Sequence, residues 1–168
     1  MPKSSNPNSR SRKVEEAIVR LLTKRRQTLA LAESCTGGCL AHRITNVPGA
    51  SAVFLGGLVA YSNMAKQKFL GVRAETLKQH GAVSAAVARE MAEGAREKFG
   101  ADFALAVTGI AGPTGGTKAK PVGTVFIALA GGGTTVVERK LNPCGREQFK
   151  DLTARQALAM LRTRLVRK

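Results

Sequence analysis

Apolar positions recur along the chain with helical spacing in three segments. Residues 13–26 place four apolar side chains on one stripe, with acidic residues early and basic residues late, as a helix dipole prefers. Residues 83–99 carry an apolar or small side chain at every fourth position, and Gly100 follows as a helix-ending residue. Residues 146–166 carry five large apolar side chains and close the chain. These patterns predict three helices.

Short apolar runs bounded by glycine, proline or polar clusters predict strands between these helices. "TLALAES" at 28–34 predicts a buried strand, and "AVFLGGLVAYS" at 52–62 predicts a strand or a bent strand pair. Each is followed by a helical pattern, at 36–46 and 63–71. Further along, a strand, a glycine-rich loop and a second strand are predicted over 102–133, with "TTVVERKL" at 134–141 as a hairpin partner.

This alternation of strands and helices predicts one α/β domain. We expect a three-layer α/β/α sandwich on a mixed, mostly parallel sheet with one antiparallel member. Residues 13–168 form the predicted domain, and the polar, basic residues 1–12 are expected to be a disordered tail. Ligands of such sheets bind at the carboxyl ends of the strands, so the loops containing "ESCTGG", "YSN" and "TGIAGPTGG" are expected to converge.

Composition and charge narrow the class of protein. With 168 residues, 43% of them hydrophobic, the chain is long enough for one domain with a substantial core. It has 27 Lys and Arg against 11 Asp and Glu, a formal net charge of +16, and the excess lies in residues 1–26 and 139–168. Aromatic residues make up only 4%, too few to stack on single strands, so we expect nucleic acid to bind only nonspecifically.

The cysteines and the hydropathy indicate the surroundings of the protein. Cys35, Cys39 and Cys144 are an odd number without a small disulfide framework, which favours a reducing compartment. No segment has the run of about 18 apolar residues that a membrane helix needs, and the first residues lack the apolar stretch of a secretory signal. We therefore expect a cytoplasmic protein without membrane contact.

The stretch "AESCTGG", residues 32–38, has two interpretations. If Ser34 or Cys35 lies at the strand end, free amides at the helix start would stabilise an oxyanion, with the two glycines allowing close approach. Alternatively, Ser34 or Thr36 caps the helix and the glycines serve packing. The stretch alone does not decide between an active site and a cap.

Neither histidine of the chain is an obvious base for such a nucleophile. His42 lies about two helical turns beyond Ser34 and His80 lies in a turn, and neither has a carboxylate to orient it, so both are interpreted as structural. A lysine with a lowered pKa can replace histidine, as in Ser-Lys hydrolases. "YSNMAK" offers Tyr61 and Lys66, which could reach one pocket from a strand end and the first turn of a helix.

Two further groups of residues are candidates for chemistry. Cys35, Cys39 and His42 share a helical face, but a structural zinc site needs a fourth ligand, so we expect no metal. Cys35, with a pKa lowered by the helix start, remains the alternative nucleophile.

The stretch "AVTGIAGPTGG" places Thr108 at a strand end before glycines whose amides could contact phosphate or ribose. So long a loop could equally be a mobile lid. Arg146, at the start of the last predicted helix, could bind a phosphate.

Six stretches occur in a specific order: "AESCTGG", "YSNMAK", "HGAVS", "VTGIAGPTGG", "KPVGTV" and a late "GRE". In this order they resemble the CinA C-terminal domain family, the nicotinamide mononucleotide deamidases, over residues 13–166. The resemblance implies a cofactor-free, metal-independent amidohydrolase that converts nicotinamide mononucleotide and water into nicotinic acid mononucleotide and ammonia. A homo-oligomer is also expected, because a small α/β enzyme must cover its sheet edges.

The resemblance also implies a role for individual residues. Ser34 would be the nucleophile, Lys66 its general base, Tyr61 a proton relay or orienter, and Thr108 a contact to the reacting amide or nucleophile. The substrate contacts would come from Cys35, Thr36, Gly37, Gly38, Asn63, Gly109, Gly112 and Arg146, with Arg146 on the phosphate.

The chain departs from this family pattern at two positions. Many relatives carry Asp where this chain has Thr114, and an acid where it has Gly145. A second hypothesis is therefore a non-catalytic nucleotide sensor or basic nucleic-acid adaptor with a degenerate site, which would show salt-sensitive binding without turnover.

Overall fold

The computed structural model describes residues 7–167, with side chains described from residue 13 onward. The helices and strands follow one another as α1 Pro7–Arg25, β1 Leu29–Glu33, α2 Cys39–Thr45, β2 Phe54–Val59, α3 Asn63–Leu70, α4 Ala74–His80, α5 Ala85–Phe99, β3 Phe103–Gly109, β4 Thr124–Gly131, β5 Thr134–Leu141 and α6 Arg146–Val166. A short 3₁₀ turn, Ala50–Ala52, precedes β2.

The five strands form one mixed sheet in the order β2-β1-β3-β4-β5. β1 pairs in parallel with both β2 and β3, whereas β4 is antiparallel to its neighbours β3 and β5. Four strands therefore run in one direction and β4 runs in the other. The mixed, mostly parallel sheet with one antiparallel member is confirmed.

Helices cover both faces of this sheet. Successive strand residues point to opposite faces, so Leu29 and Leu31 of β1 enter a core with α1, α2 and α6, while Ala30 and Ala32 enter a second core under α5. The second face is lined by alanines on β1, β3 and β4, whose short side chains let α5 lie close to the sheet. The expected three-layer α/β/α architecture is confirmed.

A close helix contact on the α5 side sets the position of α3. A Cβ atom on Gly94 of α5 would lie 1.7 Å from the carbonyl oxygen of Leu70, the last residue of α3. Only glycine permits this approach, because any side chain would overlap the Leu70 backbone. The contact holds α3 against the domain, with Lys66 on its buried side.

Three differences from the predicted elements have physical causes. Helix α1 begins at Pro7 instead of residue 13, because proline is preorganised for the first helical position, so 7–12 of the predicted tail are helical. Residues 1–6 of that tail lie outside the described residues. Helix α2 begins at Cys39 instead of residue 36, because Gly37 and Gly38 adopt left-handed φ angles of 59° and 99°.

The region after β2 also differs from the prediction. Residues 74–80 form the short helix α4, so His80 ends a helix and does not lie in a turn. Seven residues are too few for an apolar period to stand out. Within the 52–62 run, Phe54–Val59 form a single strand, which is the first of the two predicted alternatives, and its register opposite Leu29 and Ala30 is irregular. No helix within residues 7–167 is long and apolar enough to span a bilayer.

Candidate active site

The loops after β1, β2 and β3 meet beside the first residue of α6, as expected for the carboxyl ends of parallel strands. They enclose a cavity of about 280 Å³. Ser34, Tyr61 and Thr108 line it from the three strand ends, Lys66 from α3 and Arg146 from α6. The structure thus brings together the residues for which the sequence predicts a role in chemistry.

Ser34 lies one residue beyond β1 at the floor of the cavity. Its amide donates to the carbonyl oxygen of Val107 at 3.1 Å, which ties the residue to the end of β3. Its hydroxyl oxygen lies 3.1 Å from the Lys66 amine nitrogen. The hydroxyl and the amine of a Ser-Lys pair are therefore within hydrogen-bond distance across 32 residues of sequence.

Lys66 is 1% exposed and makes three hydrogen bonds at its amine. Besides Ser34, its nitrogen donates to the carbonyl oxygens of Ala60 and Tyr61 at 2.9 and 3.0 Å. Burial lowers the pKa of this amine below its ordinary value, since removing the ammonium from water disfavours the charged form. No carboxylate among the described residues lines the cavity to offset that effect.

Glu33 is a buried residue of the site to which the sequence analysis gave no role. Its carboxylate accepts hydrogen bonds from the amides of Gly38, Leu40 and Ala41 at 2.8 to 3.0 Å and from the Thr36 hydroxyl at 2.6 Å. These amides at the start of α2 are the ones expected to be free for an oxyanion. Glu33 therefore occupies the expected anion position.

Cys35 lines the cavity next to Ser34 but lacks the properties of an activated thiol. Burial raises the pKa of its thiol to about 12, and Glu33 acts in the same direction. The backbone amide of Cys35 lowers the pKa of the thiol, but burial outweighs this effect, and the amides at the start of α2 bind Glu33 instead. At neutral pH the thiol is protonated, which disfavours it as a nucleophile.

Thr108 is the sixth of seven residues in β3 and is 1% exposed. Its hydroxyl donates to the carbonyl oxygen of Ala82 at 2.8 Å, which holds the segment between α4 and α5 against the cavity. Ala82 and Val83 form the wall on this side.

Arg146 closes the cavity from the first position of α6. Its guanidinium donates to the carbonyl oxygen of Gly112 at 2.8 Å and to the Tyr61 hydroxyl at 2.9 Å. Tyr61 is 61% exposed and reaches Lys66 only through its backbone carbonyl. The phenol thus contacts the cationic end of the site and not the Ser34–Lys66 pair.

The other predicted contacts divide into two groups. Gly109 and Gly112 line the cavity. Thr36, Gly37 and Gly38 do not: the first and third bind Glu33, and the Gly37 amide donates to the Ser34 carbonyl oxygen at 3.1 Å.

Three more residues considered in the sequence analysis lie away from the cavity. Asn63 is exposed at the start of α3 and accepts a hydrogen bond from Gln67 through its backbone. His42 and His80 are both exposed, and His42 contacts Asn46. Within the described residues, no three His, Cys, Asp or Glu side chains are arranged to hold a metal ion.

Proteins of known sequence resemble this chain closely. It is 56% identical over 154 residues to a CinA-like protein of Geotalea daltonii, covering 91% of this chain and 37% of that one. It is 61% identical over 117 residues to a CinA-like protein of Thermotoga maritima, covering 70% and 29%. The chain spans about a third of the length of these curated relatives.

Solved structures resemble it over nearly their whole length. A competence/damage-inducible protein from Agrobacterium tumefaciens has a TM-score of 0.89 at 41% identity, covering 92% of this chain and 94% of that chain. A CinA superfamily protein from Klebsiella pneumoniae has a TM-score of 0.90 at 37% identity, covering 94% and 99%. The family model described as the CinA C-terminal domain matches residues 11–165, and the chain belongs to that family.

Proposed function

We propose that this domain is a metal-independent amidohydrolase that converts nicotinamide mononucleotide and water into nicotinic acid mononucleotide and ammonia. The observation that carries the proposal is the 3.1 Å contact between the Ser34 hydroxyl and the buried Lys66 amine. This pair is a nucleophile with its base, and the family resemblance supplies the substrate.

The hydrogen bonds of Lys66 suit it to act as a base. A neutral amine has two protons and one lone pair. The carbonyl oxygens of Ala60 and Tyr61 accept the two protons, so the lone pair points at the Ser34 hydroxyl. The lowered pKa of Lys66 increases the fraction of the amine that is neutral near pH 7.

In the first half of the reaction, Lys66 takes the Ser34 proton as the serine oxygen bonds to the carboxamide carbon. The C–N bond then breaks, and the nitrogen takes the proton from Lys66 and leaves as ammonia. An ester between Ser34 and the pyridine carbonyl remains. In the second half, water gives a proton to Lys66 and attacks this ester, and Ser34 recovers its proton as the carboxylic acid leaves and ionises.

The negative oxygen of each tetrahedral intermediate needs donors that Glu33 has not taken. Among the described residues, the amides of Cys35 and Thr36 donate to no carbonyl or carboxylate oxygen and adjoin Ser34, and the Cys35 amide contacts only its own thiol. We assign the oxyanion to these two amides, which replace the helix-start amides of the initial expectation.

The charge of the cavity suits an anionic substrate. Among the described residues that line it, Lys66 and Arg146 are the only basic side chains, and none is acidic. Lys66 faces the nucleophile, which leaves Arg146 to bind the phosphate, and a guanidinium can donate two parallel hydrogen bonds to phosphate oxygens. Thr114 lines the cavity and Gly145 precedes Arg146. Neither residue carries an acid, so neither adds a negative charge beside the Arg146 guanidinium.

The test measures ammonia release from nicotinamide mononucleotide by the purified wild-type protein and by its Ser34→Ala and Cys35→Ala variants. We expect Ser34→Ala to lose at least about a thousandfold in kcat, because the acyl-enzyme cannot form. Cys35→Ala, at the neighbouring residue, is the matched control and is expected to retain most activity. Turnover that survives Ser34→Ala but not Cys35→Ala refutes the nucleophile assignment, and a wild type without turnover favours the non-catalytic hypothesis.

A further inference from the structure

We propose that two copies of this chain form a dimer by pairing their β2 strands, edge to edge and antiparallel. β2 and β5 are the two edges of the five-stranded sheet. Among the described residues, the outer edge of β2 pairs with no other strand. The inference concerns how the protein assembles and does not depend on the proposed reaction.

The two edges of the sheet differ in how they are protected against another strand. β5 carries Glu138, Arg139 and Lys140, and charged side chains are a common guard of an exposed strand edge. β2 is six residues long and has no charged residue and no proline. An edge without such guards associates with other strands, because its outward backbone donors and acceptors lack partners. β2 is therefore the edge of this sheet that is open to pairing.

The charge distribution indicates that the strand covering β2 comes from a second copy of the chain. The formal net charge is +16, so two copies repel each other wherever their basic residues meet. Residues 44–65 include all of β2, contain no Asp, Glu, Lys, Arg or His, and form the longest such stretch in the sequence. Through this segment two copies approach without bringing cations together. A partner of opposite charge would instead bind at the basic ends of the chain.

Exposed apolar side chains accompany this edge. Among the described residues, more than half of the large apolar side chains that are exposed lie between residues 55 and 69. They are Leu55, Val59, Tyr61, Met64 and Phe69, with exposed fractions from 45% to 72%. Apolar groups concentrated in one region of a surface mark an interface, because covering them removes apolar area from water. The edge thus offers a second copy both backbone hydrogen bonds and apolar contacts.

The backbone of β2 sets the register of the pairing. The Ala60 amide donates to the Glu33 carbonyl oxygen at 2.9 Å, so the backbone of Ala60 faces β1. Backbone groups alternate between the two sides of a strand, which turns the N–H and C=O groups of Gly57 and Val59 to the outer edge. A twofold axis at Leu58 places Gly57 of each copy opposite Val59 of the other, where the two residues exchange both hydrogen bonds. Because both copies contribute the same groups, the contact closes at two copies.

The side chains in this register fit one another. Gly57 and Val59 lie on the same face of β2, since successive strand residues point to opposite faces. Val59 is 53% exposed, and Gly57 has no side chain, so Val59 of the second copy can lie over it. Two residues further along, the same register brings Leu55 of the second copy beside Tyr61, which lines the cavity. The second copy therefore covers the exposed phenol at the mouth of the candidate active site.

The experiment measures the mass of the purified protein by size-exclusion chromatography with light scattering. We expect twice the 17.7 kDa of one chain. Val59→Lys places an ammonium against the second copy and is expected to halve that mass. Val136→Lys is the matched control, because Val136 is 41% exposed on β5, the other edge, and this variant is expected to remain dimeric. A monomeric wild type, a dimer that survives Val59→Lys, or a dimer that dissociates with Val136→Lys overturns the proposal.

A disulfide cross-link tests the antiparallel register without relying on dissociation. Leu58 opposite Leu58 of the second copy is a non-hydrogen-bonded pair, whose Cα atoms lie about 4.5 Å apart, within the range of a disulfide. Leu58→Cys is expected to give a covalent dimer with oxidised glutathione on a non-reducing gel. Val136→Cys and the wild type, with its three native cysteines, are expected to remain single chains there. Leu58→Cys protein that forms no covalent dimer overturns the pairing, even where Val59→Lys fails to fold.

Discussion

The carboxylate of Glu33 accepts a hydrogen bond from the amide of Ala41, eight residues further along the chain, at 2.8 Å. Because Ser34 follows Glu33 directly, this bond and the three from Thr36, Gly38 and Leu40 close the chain into a tight loop. The loop holds Ser34 on the side of the cavity and Glu33 on the side of α2. The carboxylate next to Ser34 is thus committed to shaping the loop.

Glu33→Gln tests that role. The amide of glutamine can replace only one oxygen as an acceptor, so at least one buried donor loses its partner. We expect the free energy of unfolding to fall by about 1–3 kcal/mol, the range for a buried donor left unpaired, with a lower kcat because Ser34 moves. Glu97→Gln on the exposed face of α5 is the matched control and changes the unfolding energy by less than about 0.5 kcal/mol. Denaturant unfolding of both variants checks this, and equal small effects would contradict it.

In the proposed mechanism, the pH dependence of the reaction depends on the protonation of Lys66. Burial lowers its pKa, and the neutral amine is the active form, so kcat/KM is expected to rise with pH through that lowered pKa and to level off above it. The same shift makes the folded state bind fewer protons than the unfolded state. Stability therefore also rises with pH, between the lowered pKa and the ordinary value of 10.5.

Lys66→Arg is the variant that tests the base. A guanidinium keeps its charge but stays protonated, so we expect activity to vanish across the measurable pH range. Lys68→Arg, two residues along on the exposed side of α3, retains the wild-type profile. A Lys66→Arg enzyme that keeps the rising limb would assign the titration to another group.

Arg146 is expected to act on substrate affinity. Its guanidinium lines the cavity and faces no carboxylate there, so Arg146→Ala should raise KM for nicotinamide mononucleotide by about tenfold to a hundredfold, the range for a charged hydrogen bond. The KM for nicotinamide riboside, which lacks the phosphate, should be the same in Arg146→Ala as in the wild type. Arg162→Ala, on the exposed side of α6, is the control. A larger KM for both substrates alike would show that Arg146 serves the loop around Gly112 and not the phosphate.

Elements with a long apolar period are predictable from this sequence, and contacts made by turns are not. The bounds of α6 match the predicted 146–166, because its apolar face repeats over several turns. The hydrogen bonds of Glu33 have no local signature, since they depend on Gly37 and Gly38 turning the chain back with left-handed φ angles.

Within the site, the residue types were predictable and their protonation was not. Two short stretches offered Ser34 with Cys35 and Tyr61 with Lys66 as candidates, and the family resemblance, not their spacing, implied the roles of nucleophile and base. The thiol of Cys35 was expected to have a lowered pKa, but burial, a property of the folded chain, raises it to about 12. The contact between Arg146 and Tyr61 spans 85 residues, and only the fold brings them together.

Tyr61 was expected to relay protons or to orient the reacting groups, and its contacts make Tyr61→Phe informative. The phenol binds Arg146, while the bond to Lys66 uses the backbone carbonyl, which phenylalanine keeps. We therefore expect Tyr61→Phe to change KM by a few-fold, since Arg146 loses one partner, and to leave kcat within about threefold.

A proton relay makes the opposite prediction for Tyr61→Phe, because removing the hydroxyl would then lower kcat and leave KM nearly constant. Steady-state kinetics on nicotinamide mononucleotide separate the two outcomes. Tyr61→Ala removes the ring as well and shows how much of the effect on KM comes from the aromatic surface at the mouth of the cavity. A kcat that falls a hundredfold in Tyr61→Phe would require the phenol to leave Arg146 and approach Ser34 when substrate binds.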